Sequence, residues 1–458
     1  MADDQHNELL QRIATLVRQN EKLKRQVSDL TNKNDELLII LDTYKKGLKL
    51  KEAEKQDTLK FKMVTVLLVQ ITGFDEISKY PYAQEMLDEL DRLYIRFDEI
   101  VSQFKIEKVK TIGDAYMCAG GVPVKNHTNP VDVVLAALEM KKIIHFLQDK
   151  FEKEGKKFWN FRMGIHTGPA TATTIGKKKV SYNLKGDTVN IASRLQSAGE
   201  TGKINLSVMS YEMIREYFSC EYHGTLPVKY KENYDMYYVK QIKKAYSQNR
   251  EGKDPNEIFQ VKYKLRQFAD LQEIYLDKLE KELPAFLYYH NVKHTIDVIT
   301  QVELIGWGEG VTDHDLLLLK TAALFHDMGQ IGGSRDHEDR SCEYSRQYLP
   351  AFGYTAEEIE NICEIIMATK MPPQPKTILQ RIICDADLDY LGRSDFIPVS
   401  DTLFRELNEQ GIIECLNEWN KMQIKFLTGH AYFTETARNL REVNKQDQID
   451  RIKSLITE

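Results

Sequence analysis

Six cysteines in 458 residues, none in a CxxC spacing, supply neither a disulfide framework nor a thiolate zinc site. Cys118, Cys220, Cys342, Cys363, Cys384 and Cys415 read as ordinary reduced thiols. Charge of one sign is also lacking. The 63 Lys and Arg against 69 Asp and Glu leave a formal net charge of −6, which offers no broad attraction for nucleic acid or anionic lipid. Long hydrophobic runs are missing too: stretches such as MVTVLLV from Met63 are less than half of the ~20 residues needed to cross a bilayer. The opening MADDQHNELL has no signal-peptide profile. The expectation is a cytoplasmic protein with no membrane span and no nucleic-acid partner. At this length one hydrophobic core is not enough, and two or three folding units are expected.

What is present begins with a repeat. Leu9, Ile13, Leu16, Asn20, Leu23, Val27, Leu30, Asn34, Leu37, Leu41, Tyr44 and Leu48 recur at alternating spacings of four and three, an unbroken heptad seam. Its d positions are Leu until Tyr44, and Ile13 and Val27 occupy a positions, a pattern that favours two parallel strands. Asn20 and Asn34 would pair across the seam and fix its register. Residues 1–60 are therefore read as a coiled coil that makes a parallel homodimer.

The pattern then changes. MVTVLLVQI from Met63 reads as a buried strand, and TIGDAYMCAGG from Thr111 as a hairpin turning at Gly113 and Asp114. Helical patterns such as PVDVVLAALEMKKIIHFLQ from Pro130 alternate with these, so a mixed sheet covered by helices is expected over 61–243. Across 244–269 the polar run KKAYSQNREGKDPNEIF reads as a linker and helix start, with Asp254 as N-cap, Pro255 in the first position and Glu257 closing a capping box. From 270 to 458 apolar spacings of three and four predict an α-helical bundle. The fold class is thus a multi-domain α+β chain: coiled coil, α/β domain, all-α bundle.

Three motifs carry a resemblance in the middle segment. KVKTIGDAY from Lys108, FRMGIHTGPA from Phe161 and KGDTVNIASRL from Lys185 stand in the order found in class III adenylate and guanylate cyclases, and from about Lys62 to Ile242 the chain resembles that family. The resemblance implies a ferredoxin-like mixed sheet and a site composed from two subunits, with Mg2+ or Mn2+ held between two carboxylates. Asp114 matches the second metal-binding aspartate. Gln70 stands where the first is expected, and a neutral amide oxygen is a weaker ligand than a carboxylate. Asn190 and Arg194, four residues apart and on one helix face, match the groups that orient the ribose and stabilise charge on the α-phosphate. Lys231 falls where the family has a phosphate-contacting lysine, although Lys229 is close by. Lys110 matches the base-selecting position and Asn183 its companion. A lysine donor suits an adenine ring nitrogen, so ATP is favoured over GTP.

In the bundle, YYHNVKHTIDV spaces His290 and His294 four apart on one expected helix face, LFHDMG joins His326 to Asp327, and ICDADLDYLGR supplies Asp387. Such groups set in apolar helices would each cost several kcal/mol if left without partners, and a metal explains them economically. From Tyr288 to Arg393 the segment resembles the HD phosphohydrolase superfamily. The resemblance implies that His294, His326, Asp327 and Asp387 bind a divalent transition metal such as Mn2+, Fe2+ or Zn2+, that His337 serves a second metal, and that His290 protonates the leaving group. Asp385 is the neighbour that could stand in for Asp387. A nucleotide substrate and an upstream regulatory partner complete the expectations.

Overall fold

The computed structural model describes residues 58–74, 79–112, 114–175, 181–226 and 233–456. The heptad seam, Gly113, Lys229 and Lys231 lie outside them. Residues Lys60–Glu458 form one compact unit. Among the described residues no helix is long and apolar enough to cross a membrane.

The first half is a mixed sheet. Its strands are β1 (Thr58–Thr72), β2 (Glu107–Ile112), β3 (Ala115–Gly120), β4 (Asn160–Ile175), β5 (Ser181–Lys185), β6 (Ile204–Ser207), β7 (Phe218–Leu226) and β8 (Tyr234–Ile242). They run in the order β2-β3-β1-β4-β6-β8-β7, with β5 paired to β4. β4 and β6 are parallel, whereas β1 with β3 and β2 with β3 are antiparallel. Ile112 faces Ala115 across a two-residue connection, the hairpin expected there.

Alternation along β1 and β3 sends side chains to two faces. Leu67, Val69, Tyr116 and Cys118 enter a large core with α1 (Ala83–Gln103) and α2 (Asn129–Lys153). Val66, Leu68, Met117 and Ala119 enter a smaller core with Leu184 of β5 and Ala192 of α3 (Asp187–Ala198). α3 lies directly on β4 because Gly164 has no side chain. A Cβ there would stand 2.2 Å from Ala192 O and 2.3 Å from Gln196 N. A bulge at Val109 lets Lys108 oppose Cys118 and Lys110 oppose Met117, so two lysines two residues apart take opposite faces. Beyond β6 a short helix, α4 (Val208–Ile214), completes this half.

The second half is helical: α5 (Glu257–Glu282), α6 (Val292–Glu309), α7 (Asp313–Phe325), α8 (His337–Tyr348), α9 (Ala356–Met367), α10 (Ile378–Asp387), α11 (Phe396–Glu409), α12 (Leu416–Gly429) and α13 (Val443–Leu455). The cap of α5 differs from expectation. Ser247 bridges Pro255 and Gln248 N donates to Asp254 O at 2.8 Å, so the backbone stays out of the helix until Asn256, whose side chain accepts from Phe259 N. Glu257 is then the first helical residue and closes no capping box. α5 serves both halves. Phe259 lies in the sheet's core, and Phe268, Leu271, Tyr275 and Leu279 lie in the core of the bundle.

Candidate functional site

The bundle gathers the His and Asp residues at one place through its helix ends. Asn291 caps α6: its Oδ1 accepts from Lys293 N at 2.8 Å and His294 N at 3.3 Å, and its Nδ2 donates to Tyr288 O at 2.7 Å. This places His294 in the first turn and leaves His290 in the turn before the helix, not on the same helix face as expected from their spacing. The rings of His290 and His294 nevertheless meet, with centroids 5.9 Å apart. His326 follows α7, Asp327 opens the 3₁₀ turn Met328–Gly332, and Asp387 ends α10.

Their donor atoms converge. His294 Nε2 is 3.3 Å from His326 Nε2, 3.6 Å from Asp327 Oδ2 and 3.0 Å from Asp387 Oδ1. His326 Nε2 is 3.3 Å from Asp327 Oδ2 and 3.6 Å from Asp387 Oδ1. Ligands ~2.1 Å from a common ion stand ~3.0 Å apart at right angles and ~3.4 Å apart at the tetrahedral angle, so these spacings suit one small cation. Tautomer chemistry agrees. His326 Nδ1 lies 2.7 Å from Ala323 O, and because a carbonyl only accepts, Nδ1 carries the proton and Nε2 keeps its lone pair for a metal. Asp327 Oδ2 is buried with no hydrogen-bond partner among the described residues, which a cation would repair. His294, His326 and Asp327 can hold one ion between them. Burial alone would raise the Asp387 carboxyl, but the two imidazoles beside it hold it well below the usual carboxylate range.

Asp327 also faces outward. Its Oδ1 is 3.3 Å from His337 Nε2, which stands 3.6 Å from the buried Glu338 carboxylate. One carboxylate therefore lies between two potential cation positions. His337 is brought close by Gly329, where a Cβ would sit 1.9 Å from His337 O. Asp385 points elsewhere: it accepts from Phe433 N (2.9 Å), Thr434 N (2.8 Å) and Thr434 Oγ1 (2.7 Å) and ties down the loop after α12.

Glu406 was not singled out from the sequence. It is 1% exposed, and its Oε1 lies 2.5 Å from His290 Nδ1 while its Oε2 accepts from the backbone N–H of Tyr289 and His290 at 2.9 and 3.1 Å. Burial would depress the His290 imidazole, but Asp327 and Glu406 overcome it and hold it above its ordinary value. Beside His290 and Asp387 opens an apolar cavity of about 390 Å³, walled by Leu388, Phe396, Trp419, Met422 and Phe426, with Gln423 as a polar group. A second cavity of about 370 Å³, on the side of Lys293 and Arg393, also reaches Asp387.

In the sheet, Gln70 opposes Ala115 in register, and its Nε2 donates to Asp114 Oδ2 at 3.2 Å. The amide thus points a donor at the oxygen a cation would need, and the pair does not make a two-carboxylate cage. Lys110, on β2, opposes Met117 and so shares the face of α3 and β5; Asn183, on β5, opposes Thr173 of β4. Asn190 and Arg194 are exposed on α3.

Residues 57–241 match the family Adenylate and Guanylate cyclase catalytic domain, and residues 291–389 match the HD domain. Human guanylyl cyclase C is 36% identical over 190 residues, covering 40% of this chain and 17% of that protein. The adenylate cyclase of Mycobacterium bovis is 34% identical over 182 residues, 40% of each chain. The match therefore spans much less than the length of these relatives. Among solved structures, the guanylate cyclase domain of RhGC from Catenaria anguillulae in complex with GTP is 32% identical, covering 40% of this chain and 98% of that one at a TM-score of 0.36.

Proposed function

We propose that this chain, which carries a class III nucleotidyl cyclase catalytic domain and an HD domain, is a cytoplasmic enzyme of cyclic-nucleotide signalling whose HD centre hydrolyses a nucleotide phosphoester. The observation that carries this reading is the convergence of two imidazoles on two carboxylates, His294 Nε2 and His326 Nε2 lying 3.3 Å apart and each 3.0 to 3.6 Å from Asp327 and Asp387, beside a protonatable His290. These four residues would hold a divalent cation, which would supply charge neutralisation at phosphorus and an acidified water as nucleophile near neutral pH. His290, which Asp327 and Glu406 hold above its ordinary value against the pull of burial, delivers its Nε2 proton to the departing alkoxide, and Glu406 holds the ring through Nδ1. The apolar cavity favours a flat, uncharged group, and a second or third phosphate placed there would lose its hydration without a partner. A cyclic nucleotide or nucleoside monophosphate, base in the cavity and phosphoryl group at the metal ligands, meets both demands. His337, with Asp327 between it and the other ligands, is the place for a second ion.

For the cyclase domain the reading is ATP to cyclic AMP at a rate limited by Gln70. Lys110 and Asn183 read the base, Lys231 contacts phosphate, and the exposed Asn190 and Arg194 complete the site of a second subunit in a parallel coiled-coil dimer. The Gln70–Asp114 hydrogen bond also favours a second reading, in which this domain binds nucleotide without turnover and regulates the hydrolase. Mass spectrometry of products decides between them. Purified protein is given cyclic AMP or cyclic GMP, and separately ATP or GTP, with Mg2+ or Mn2+. Hydrolysis that disappears in Asp387→Ala supports the HD assignment, and hydrolysis unchanged in Asp387→Ala overturns it. Cyclic AMP made by wild type and lost in Asp114→Ala supports the cyclase; cyclic AMP gained only in Gln70→Asp supports the regulator.

A further inference from the structure

Cys342 and Cys363 are 21 residues apart in the chain but adjacent in the fold, on α8 and α9. Cys342 Sγ lies 3.6 Å from Cys363 O, and Cys363 Sγ lies 3.7 Å from Cys342 O. Each thiol therefore reaches across to the other residue's backbone, and the two side chains lie side by side between the helices. Both residues wall a surface cavity of about 640 Å³, with Arg346 and Glu360 beside them, which admits a small polar oxidant from solvent. Cys118 sits in the sheet core and Cys415 is exposed, away from such a pairing.

We propose that Cys342 and Cys363 form a redox-modification site, a dithiol that hydrogen peroxide converts to a disulfide joining α8 to α9. The adjacent Cys342 side chain and the Arg346 guanidinium hold the Cys363 thiol below its ordinary value, which makes Cys363 the first nucleophile. The Cys363 thiolate attacks one peroxide oxygen, the O–O bond breaks, and the departing hydroxide takes the Cys342 proton to leave as water. The Cys342 thiolate then attacks the Cys363 sulfenic acid, the S–O bond breaks, and the second hydroxide leaves as water with the proton Cys363 first released. Two thiols are oxidised and one peroxide is reduced, giving one disulfide and two waters.

The consequence lies next to the metal ligands. Ser341, adjacent to Cys342, donates from Oγ to His326 O at 2.6 Å and accepts from Gly329 N at 2.9 Å, and α8 begins at His337. Tying α8 to α9 alters the footing of that turn, and through it the hydrolytic rate. This last effect rests on the hydrolase reading, but the disulfide does not.

The test treats the full-length protein with a small excess of hydrogen peroxide, quenches it with iodoacetamide under denaturing conditions and maps tryptic peptides without reduction. The expected product joins peptides 341–346 and 347–370 at two hydrogens below their summed mass, reverts with dithiothreitol and is absent from Cys342→Ser. Recovery of both peptides singly alkylated while the Cys415 peptide is oxidised overturns the proposal, as does a disulfide pairing either cysteine elsewhere. The wild-type map needs no variant to fold, and it reads the chemistry whether or not the preparation hydrolyses any ester.

Discussion

At the scale of single residues, charge and hydrogen bonding separate carboxylates that look alike in the sequence. Asp385 and Asp387 are two positions apart, yet the first accepts three hydrogen bonds from Phe433 and Thr434 and the second faces two imidazoles. Asp385→Ala should therefore cost about 2–4 kcal/mol of stability, because three donors are left unsatisfied. Asp387→Ala should cost less and instead strip metal, read as bound-metal stoichiometry after dialysis beside the denaturation midpoint. Glu406 gives a second expectation. Its carboxylate raises the His290 imidazole, so in Glu406→Gln that proton is lost at lower pH. The alkaline limb of kcat/KM for hydrolysis should move to lower pH, with a loss of about tenfold to hundredfold at pH 8. A profile whose limb stays in place would remove His290 as the acid.

Among elements, close approach is decided where glycine leaves room. Gly164 lets α3 rest on β4, and a methyl group there meets backbone atoms of Ala192 and Gln196 that cannot rotate away. Gly164→Ala should destabilise by about 2–4 kcal/mol and displace Asn190 and Arg194, both on α3. The expected result is a lower melting temperature together with weaker nucleotide binding to the cyclase domain, while the HD centre retains its metal. The bulge at Val109 has a comparable effect in the sheet. Without it Lys108 and Lys110 would share a face; with it Lys108 pairs with Asp98 at 2.7 Å and Lys110 turns to the opposite face.

For the whole molecule, α5 is the member that makes one unit of sheet and bundle. Tyr263 Oη donates to Asp132 Oδ1 at 2.7 Å, Asp270 accepts from His127 N at 2.9 Å, and Arg266 Nε donates to His127 O at 2.6 Å. Asp132 is buried in this junction and its carboxyl is pushed up to about 6 by burial, although Tyr263 and Thr128 donate to it. Its pKa is raised on folding, so its stabilisation is full below the unfolded value near 3.8 and is lost as pH rises through about 6. Asp132→Asn carries no such loss. Its melting temperature should gain on wild type between pH 4 and pH 8, by an amount equivalent to about 2–3 kcal/mol. Parallel curves for the two proteins would show that Asp132 does not hold a proton at the junction.

Much of this architecture was legible in the order of the residues. Period-two and period-3.6 patterns separate the sheet from the bundle, and the motifs around Asp114, Gly164, Asn190, His294, His326 and Asp387 mark the two domains, because each consists of residue types at short, regular spacing. Glu406, the Cys342–Cys363 pair, the outward face of Asp327 and the Asn256 cap were not legible. Glu406 reads as one more charge on an amphipathic helix, and a pair of cysteines 21 residues apart has no local signature. The sequence by itself determined which segments fold as strand or helix and which side chains can bind a cation, since those follow from short-range periodicity and functional groups. Only the tertiary structure decided which of those groups meet, because helices packed end to end bring together atoms a hundred residues apart, and their separation in space obeys packing instead of chain distance.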